Sequence, residues 1–493
     1  MRTLLIYPEY PATFWSFKYA LKFIHKRAAL PPLGLLTIGA MLPKEWPKKL
    51  VDVNVTKLND RDLAWADWVF ISGMALQRES AREIIARCKE ANLKVIAGGP
   101  LFTSEYDQFE DVDHFVLNEA ELTLPPFLAD LEKGCAQRIY ETPEFCDIRR
   151  TPAPLWELMD LKHYASMCIQ FSRGCPFNCD FCNVTALFGH RVRMKTAEQI
   201  IDELDGLYDQ GWRGQVFFVD DNFIGNKVYL KTHLLPALIQ WQKDRKEIPF
   251  NTEASVNLAD DPALMEMMVK AGFDAVFIGI ETPNEESLAE CNKQQNKNRN
   301  LIESVKLMQR AGLQVTGGFI VGFDSDTPSI FQRQIEFIQK SGIVTAMVGL
   351  LNAPPGTRLH ERMREEGRLI DFISGDNADG STNILPRMGL NVLREGYGNL
   401  MQHIYSPEHY YKRVMTFLRE YKRPTVRTPL DFQRLLAVLR SSIRLGIFGK
   451  ERFQYWKILF WTLFRRPQLF PLTVTLAIYG HHFRKICQLK IAQ

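Results

Sequence analysis

Arg173-Gly174-Cys175-Pro176-Phe177-Asn178-Cys179-Asp180-Phe181-Cys182 follows directly on an apolar run of strand length, Cys168–Ser172. Three thiols at spacings of four and three residues fit on one loop around a small inorganic cluster. Complete thiolate ligation of a 4Fe–4S cluster takes four cysteines. Three leave one iron without a protein ligand and free to bind a substrate. Gly174 and Pro176 keep the loop tight, and Phe181 is placed to shield one side of a cluster from water. Two other readings stand beside this one. A structural zinc site needs four ligands, and His190 could supply the fourth. The three thiols could also be inert core residues. The position directly after a strand favours the cluster.

The six other cysteines, Cys88, Cys135, Cys146, Cys168, Cys291 and Cys487, are scattered along 493 residues, which is no disulfide framework. The amino terminus, MRTLLIYPEYP, reads as a first strand and lacks the apolar stretch and cleavage site of a secretory signal. No run approaches the roughly 18 apolar residues of a membrane span. The expected setting is a reducing cytoplasm, where clustered cysteines signify metal or redox chemistry. With 46% hydrophobic and 24% charged residues the chain is not largely disordered. The net charge of +4 is unevenly spread: from Phe432 onward eleven Lys and Arg face one acid, Glu451, so that stretch carries +10 and the preceding 431 residues carry −6.

Upstream of the cysteine loop, strand-length runs at Thr3–Tyr7, Val51–Val55, Trp68–Ser72, Val95–Ala97 and His114–Leu117 alternate with helical stretches at Leu33–Leu42, Ser80–Asn92 and Glu119–Lys133. That alternation predicts a doubly wound parallel sheet over residues 1–141. Ligands of such sheets lie beyond the carboxyl ends of the strands. Ser72-Gly73, Gly98-Gly99-Pro100 and Asn118-Glu119 fall there, although Gly98 and Gly99 could equally serve a tight turn. Residues 142–164, rich in proline, read as a linker. From 165 to 375 six further strand–helix units, with strands at Cys168–Ser172, Gln215–Val219, Phe250–Ser255, Ala275–Ile280, Val315–Val321 and Thr345–Leu351, predict a partial (βα)6 barrel. Residues 376–493 read as a mainly α-helical region. The expected fold class is therefore α/β with a helical carboxyl-terminal part.

The Cys-x-x-x-Cys-x-aromatic-Cys loop closing a first barrel strand closely resembles the signature of radical S-adenosylmethionine (SAM) enzymes. The resemblance implies that Cys175, Cys179 and Cys182 hold a 4Fe–4S cluster whose open iron chelates SAM, and that one electron releases a 5′-deoxyadenosyl radical. It also implies SAM contacts at strand ends: Asp220 and Asp221 after the second strand, Glu253 on the third, Glu281 ending the fourth, and Gly318 in the adenine-contacting fifth. The second strand departs from the family by carrying Asp-Asp where many members have Gly-Gly-Glu. No further catalytic residue is assigned.

A doubly wound domain ahead of such a barrel resembles the cobalamin-binding subclass, on Pro31-Pro32-Leu33-Gly34-Leu35, Ile96-Ala97-Gly98-Gly99-Pro100 and Asn118-Glu119-Ala120-Glu121. The Thr13-Phe14-Trp15-Ser16-Phe17-Lys18 segment and the basic helical end are similar to the group of hopanoid C-2 methylases and bacteriochlorophyll side-chain methylases. The resemblance implies cobalamin near Ser72, Gly98 and Gly99, a one-electron reductant protein as partner, and methyl transfer to an unactivated carbon of an apolar small molecule or lipid. Both 5′-deoxyadenosine and S-adenosylhomocysteine would be coproducts. Asp-x-His-x-x-Gly is absent and His25 and His114 lie in other contexts, so the expected cobalamin has no lower histidine ligand. A domain that kept the fold and lost the cofactor is the alternative. Alternatives for the whole chain are a cobalamin-linked rearrangement or cyclisation, and a non-catalytic metal-containing ligand sensor.

Beyond Phe432, arginines mix with large apolar groups, as in Tyr455-Trp456-Lys457-Ile458-Leu459-Phe460-Trp461. Such helices can lie in the interface of an anionic membrane. A helical cap with its polar face in solvent is the plainer reading. No nucleic-acid-binding motif accompanies the charges, and no nucleic-acid partner is expected.

Overall fold

The computed structural model describes residues 1–245, 247–370, 373–423 and 432–490. Residues 246, 371–372, 424–431 and 491–493, which fall within the expected barrel and helical region, lie outside the described residues. The first sheet comprises β1 (Thr3–Tyr7), β2 (Lys48–Asp52), β3 (Trp68–Ser72), β4 (Lys94–Gly98), β5 (His114–Val116) and β6 (Ile139–Tyr140). Their order is β2-β1-β3-β4-β5-β6, parallel throughout. Alternate residues of a strand point to opposite faces. Leu4, Ile6, Val69 and Ile71 accordingly enter one apolar layer, and Leu5 and Phe70 enter the other. Helices cover both layers, which makes the sheet doubly wound, with its switch point between β1 and β3. β2 lies three residues ahead of its expected place. Asp52 ends it by accepting the Asn54 amide at 2.9 Å, and the Val55 amide turns back onto the Asp52 carbonyl.

The second region contains β7 (Ser166–Ile169), β8 (Ser172–Arg173), β9 (Arg193–Met194), β10 (Gln215–Phe218), β11 (Phe250–Ala254), β12 (Phe273–Glu281), β13 (Gln314–Val321) and β14 (Ala346–Leu350). Six of them form a parallel sheet in the order β14-β13-β12-β11-β10-β7, each beside its predecessor, as in an unclosed βα barrel. Intervening helices start where capping predicts. Thr196 and Gln199 form a capping box, and the Asp261 and Asn300 side chains accept the amides of Leu264 and Glu303. The expected strand Cys168–Ser172 is split. β7 stops at Ile169, and β8 turns away to pair antiparallel with β9.

β14 would be an open edge, and edges are normally covered. Helix Leu390–Tyr405 covers this one: the Tyr405 hydroxyl bonds both the amide and the carbonyl of Ala346, and Tyr397 donates to the Val348 carbonyl at 3.0 Å. Helices Pro407–Glu420, Phe432–Arg444, Arg452–Arg465 and Phe470–Lys490 complete a helical carboxyl-terminal part. The segment after β1 reaches into it, since Phe14 stacks on Phe483 at 4.1 Å and Trp15 Nε1 points to Met347 Sδ at 3.1 Å. Among the described residues no helix is long and apolar enough to cross a membrane.

Candidate active site

The cysteine loop is pinned from outside itself. The Asp180 amide donates to the Cys291 carbonyl at 3.0 Å, Asn292 Nδ2 to the Asn178 carbonyl at 2.8 Å, and the Leu359 amide to the Asp180 carbonyl at 2.9 Å. Gly174 has φ +90°, and a Cβ there would stand 2.7 Å from the Arg191 carbonyl oxygen, so no other residue fits the entry to the loop. Two side-chain amides face the sulfurs: Asn222 Nδ2 lies 3.9 Å from Cys175 Sγ and Gln295 Nε2 lies 3.7 Å from Cys179 Sγ. Burial raises all three thiols, Cys182 to about 12, while Lys293 draws each of them down. A hollow of about 170 Å³ opens beside Cys179 and Cys182, with Thr185, His190 and Arg358 on its wall. Phe181 packs edge-on against Phe323, and Lys293 Nζ lies 5.8 Å from its ring.

These residues suit a cluster better than a single ion. Four zinc ligands at about 2.3 Å from one metal must crowd to within about 4 Å of each other. His190, the candidate fourth ligand, is exposed, whereas the three thiols are buried or half-buried. N–H donors aimed at sulfur stabilise thiolate charge and tune cluster potential.

The expected SAM-contacting acids fall into different environments. Asp220 is fully buried, and its carboxylate accepts the amides of Phe171 and Ser172. It therefore holds the chain that leads into the cysteine loop, and this is what breaks the expected first strand. Burial raises Asp220 to about 7 and Asp221 to about 6. Glu253 rises to about 8, through burial and the nearby charges of Asp221 and Asp220. Glu281 ends β12 at a register shift with φ +62°, an uncommon conformation for a non-glycine residue and one that clusters at functional sites. Its carboxylate meets Lys293 at 2.7 Å. Burial would lower Lys293, but Glu281 and Cys179 outweigh it and hold the ammonium charged. Gly318 lies under the Phe277 ring, whose Cζ would be 2.7 Å from a Cβ there.

The carboxyl edge of the first sheet lies against the barrel. Glu119, after β5, meets Arg173 at 3.0 Å and Arg193 at 2.7 Å, and Glu121 meets Arg173 at 2.8 Å. Burial would raise Glu121, yet Arg173 outweighs it and holds the carboxyl at about 2. Asp52 accepts from the Tyr164 hydroxyl at 2.9 Å, and the Tyr7 and Tyr10 hydroxyls bond each other. Burial raises both tyrosines, with Asp52 and Cys168 adding to it. Ser72, Gly98 and Gly99 stand at this edge, partly exposed. Their tightness has a local cause: a Cβ on Gly98 would meet the Val116 carbonyl at 2.5 Å, and one on Gly99, at φ +88°, would clash with Ser72 Oγ. His114 opens β5 at the opposite edge, bonded to the Gln137 carbonyl. The close approaches of these glycines are to the chain's own Val116 and Ser72, and His114 lies away from this edge.

Lys293, Arg173, Arg193, Asn222, Gln295 and the tyrosine pair were not singled out from sequence. Arg173 adjoins the cysteine motif and Tyr7-Pro8-Glu9-Tyr10 ends a first strand, which are weak signals. Nothing marks Lys293, whose role comes from long-range folding.

Comparison with known proteins bears on the same residues. The radical SAM superfamily matches residues 169–350, and a domain of unknown function (DUF4070) matches 357–493. An uncharacterized methyltransferase of Synechocystis sp. is 40% identical over 490 residues, covering 98% of this chain and 91% of that protein. The hopanoid C-2 methylase of Rhodopseudomonas palustris is 34% identical over 472 residues, 92% of this chain and 88% of its own. The solved cobalamin-dependent SAM radical enzyme OxsB, with aqua-cobalamin and SAM bound, shares the fold at a TM-score of 0.62 and 14% identity, covering all of this chain and 80% of its own. A superfamily match centred on the cysteine-bearing barrel, joined to near-full-length likeness to named methyltransferases, places the protein: the chain belongs to the radical SAM superfamily, as an enzyme of its methyltransferase-containing family that uses a 4Fe–4S cluster and SAM.

Proposed function

We propose that the protein methylates an unactivated carbon of an apolar small molecule or lipid, with cobalamin as methyl carrier. The observation that carries this reading is the cysteine loop held against the carboxyl edge of a doubly wound sheet by Arg173, Glu119 and Glu121. In this reading residues 1–141 hold cobalamin, 142–164 link, 165–375 hold cluster and SAM, and 376–493 cap the barrel. When bound, the cluster and SAM supply the radical that removes a substrate hydrogen, and cobalamin supplies the methyl group. Cys175, Cys179 and Cys182 ligate the cluster, and Phe181 shields it. Asn222 and Gln295 would donate to the ligating sulfurs of Cys175 and Cys179. Lys293 offers a cation for the SAM carboxylate, and Glu281, Glu253 and Asp221 offer acceptors for its ammonium and ribose. Asp220 positions the loop, and Gly318, whose missing side chain makes space for the Phe277 ring, would lie beside the adenine. Ser72, Gly98 and Gly99 would lie on the side of the sheet that takes the cobalamin. A cytoplasmic one-electron reductant protein completes the system. The full-length relative named for a hopanoid supports an apolar substrate.

The test is one anaerobic assay of reconstituted protein with SAM, hydroxocobalamin, a strong reductant and a total lipid extract. The reading expects 5′-deoxyadenosine and S-adenosylhomocysteine to rise together when the extract is added. A rise in 5′-deoxyadenosine alone with the extract would replace methyl transfer by rearrangement or cyclisation.

A further inference from the structure

Helix Phe432–Arg444 and helix Arg452–Arg465 form a hairpin, joined by Tyr455 bonding Ser441 and by Trp456 donating to the Gly446 carbonyl. Their inner sides pack on helix Phe470–Lys490 through Ala437, Ser441, Tyr455, Leu459 and Thr462. A cap of ordinary design would then turn polar groups outward. This hairpin turns large apolar side chains outward as well. Leu435, Leu439 and Ile443, spaced four apart on one helix face, are 63%, 56% and 43% exposed. Phe448 at the tip and Phe464 on the second helix are each 79% exposed, and Phe453 is 72%. Exposed apolar surface on this scale marks an interaction site.

The charges around it are of one sign. Arg444, Lys450, Arg452, Lys457 and Arg465 are exposed beside the apolar side chains. Where the hairpin meets the amino-terminal part, a groove of about 230 Å³ is lined by Lys22, Phe23, Arg440, Ile443 and Arg444, with no acid among them. Arg440 is braced by donating to the Phe23 carbonyl at 2.7 Å, and Arg444 lies over the Phe23 ring at 5.5 Å. Glu451, the one acid from Phe432 onward, is buried and occupied by Arg484 and His481.

We propose that this face docks on an anionic lipid bilayer, with Ile447, Phe448, Phe453 and Phe464 entering the acyl boundary and the Lys22–Arg440–Arg444 groove seating a headgroup phosphate. Apolar side chains rimmed by cations match the two layers of such a surface, hydrocarbon and anionic headgroup. The proposal rests on this surface alone and is independent of the reaction. It extends the plain expectation of membrane contact by naming the inserting residues and the headgroup seat.

The test is flotation of the full chain with vesicles of phosphatidylcholine alone and of phosphatidylcholine mixed with phosphatidylglycerol. Binding is expected on the mixed vesicles only, weakening as salt is raised. F448D/F464D should abolish it, and K22Q/R444Q should weaken it by about 30-fold, with thermal unfolding unchanged in both. These exposed side chains carry no part of the core, and R465Q, away from the groove, should have a smaller effect. No binding to mixed vesicles, or equal binding by all variants, would overturn the proposal. So would a mass measurement in which F448D/F464D turns a dimer into a monomer, which would assign the face to a second copy. Binding of duplex DNA in preference to vesicles would also overturn it.

Discussion

The loop that ends β7 and the loops that end β1, β3 and β4 occupy corresponding places in two parallel sheets, yet they are furnished differently. At the barrel, three thiols, two amides and a charged lysine converge, and three carboxyls are raised by burial. At the first sheet, the glycines are explained by the chain's own packing, and the polar residues are a tyrosine pair and a serine. Under the proposed function, the difference concerns how two cofactors would be held. A cluster demands covalent ligands of one residue type at one spacing. A large flat cofactor can be gripped by shape and backbone, which many sequences supply.

The contrast can be broken at either end. The largest effect is expected at the barrel: Cys179→Ala should lose iron and sulfide and bring 5′-deoxyadenosine formation to background, measured by metal analysis and product quantification. Next comes the joint between the regions. Arg173→Ala leaves Glu121 buried without its cationic partner and Glu119 with Arg193 alone, and should cost about 4 kcal/mol in a urea titration. Glu253 gives a pH signature. Its folded pKa of about 8 lies above its unfolded value, so the folded chain binds the extra proton and stability falls as pH rises through that window. Between about pH 5 and about pH 7 Glu253 should contribute about 2.5 kcal/mol to the fall, beside the contributions of Asp220 and Asp221, and Glu253→Gln should remove that share alone. The smallest effect is expected at the first sheet, where Gly98→Ala forces a Cβ against the Val116 carbonyl and should cost about 2 kcal/mol, read as a lowered urea midpoint.

What could be read in advance follows the same division. β12 and β13 were visible because alternate apolar residues line their outer faces, as at Val276, Ile278 and Ile280. The cysteine loop was visible because its chemistry is local. β2 was displaced because apolar pattern alone cannot see Asp52 ending the strand through Asn54. The expected first barrel strand ran too far because Asp220, 48 residues from Ser172, captures its last amides. Lys293 and Arg173 act through partners brought up by folding, which spacing does not record. The carboxyl-terminal helices were legible as helices, but which side of them faced outward was not. Leu439 and Phe464 are outward only because the inner face is already filled by helix Phe470–Lys490.

The central claim is that Cys175, Cys179 and Cys182 hold a cluster with one iron left open for SAM. The most direct measurement is the electron paramagnetic resonance spectrum of the reduced, anaerobically reconstituted chain before and after SAM is added. The account predicts about four iron and four sulfide per chain, a reduced-cluster signal that shifts when SAM binds, and no such signal in Cys179→Ala. A full complement of iron and sulfide whose spectrum is unchanged by SAM would contradict it.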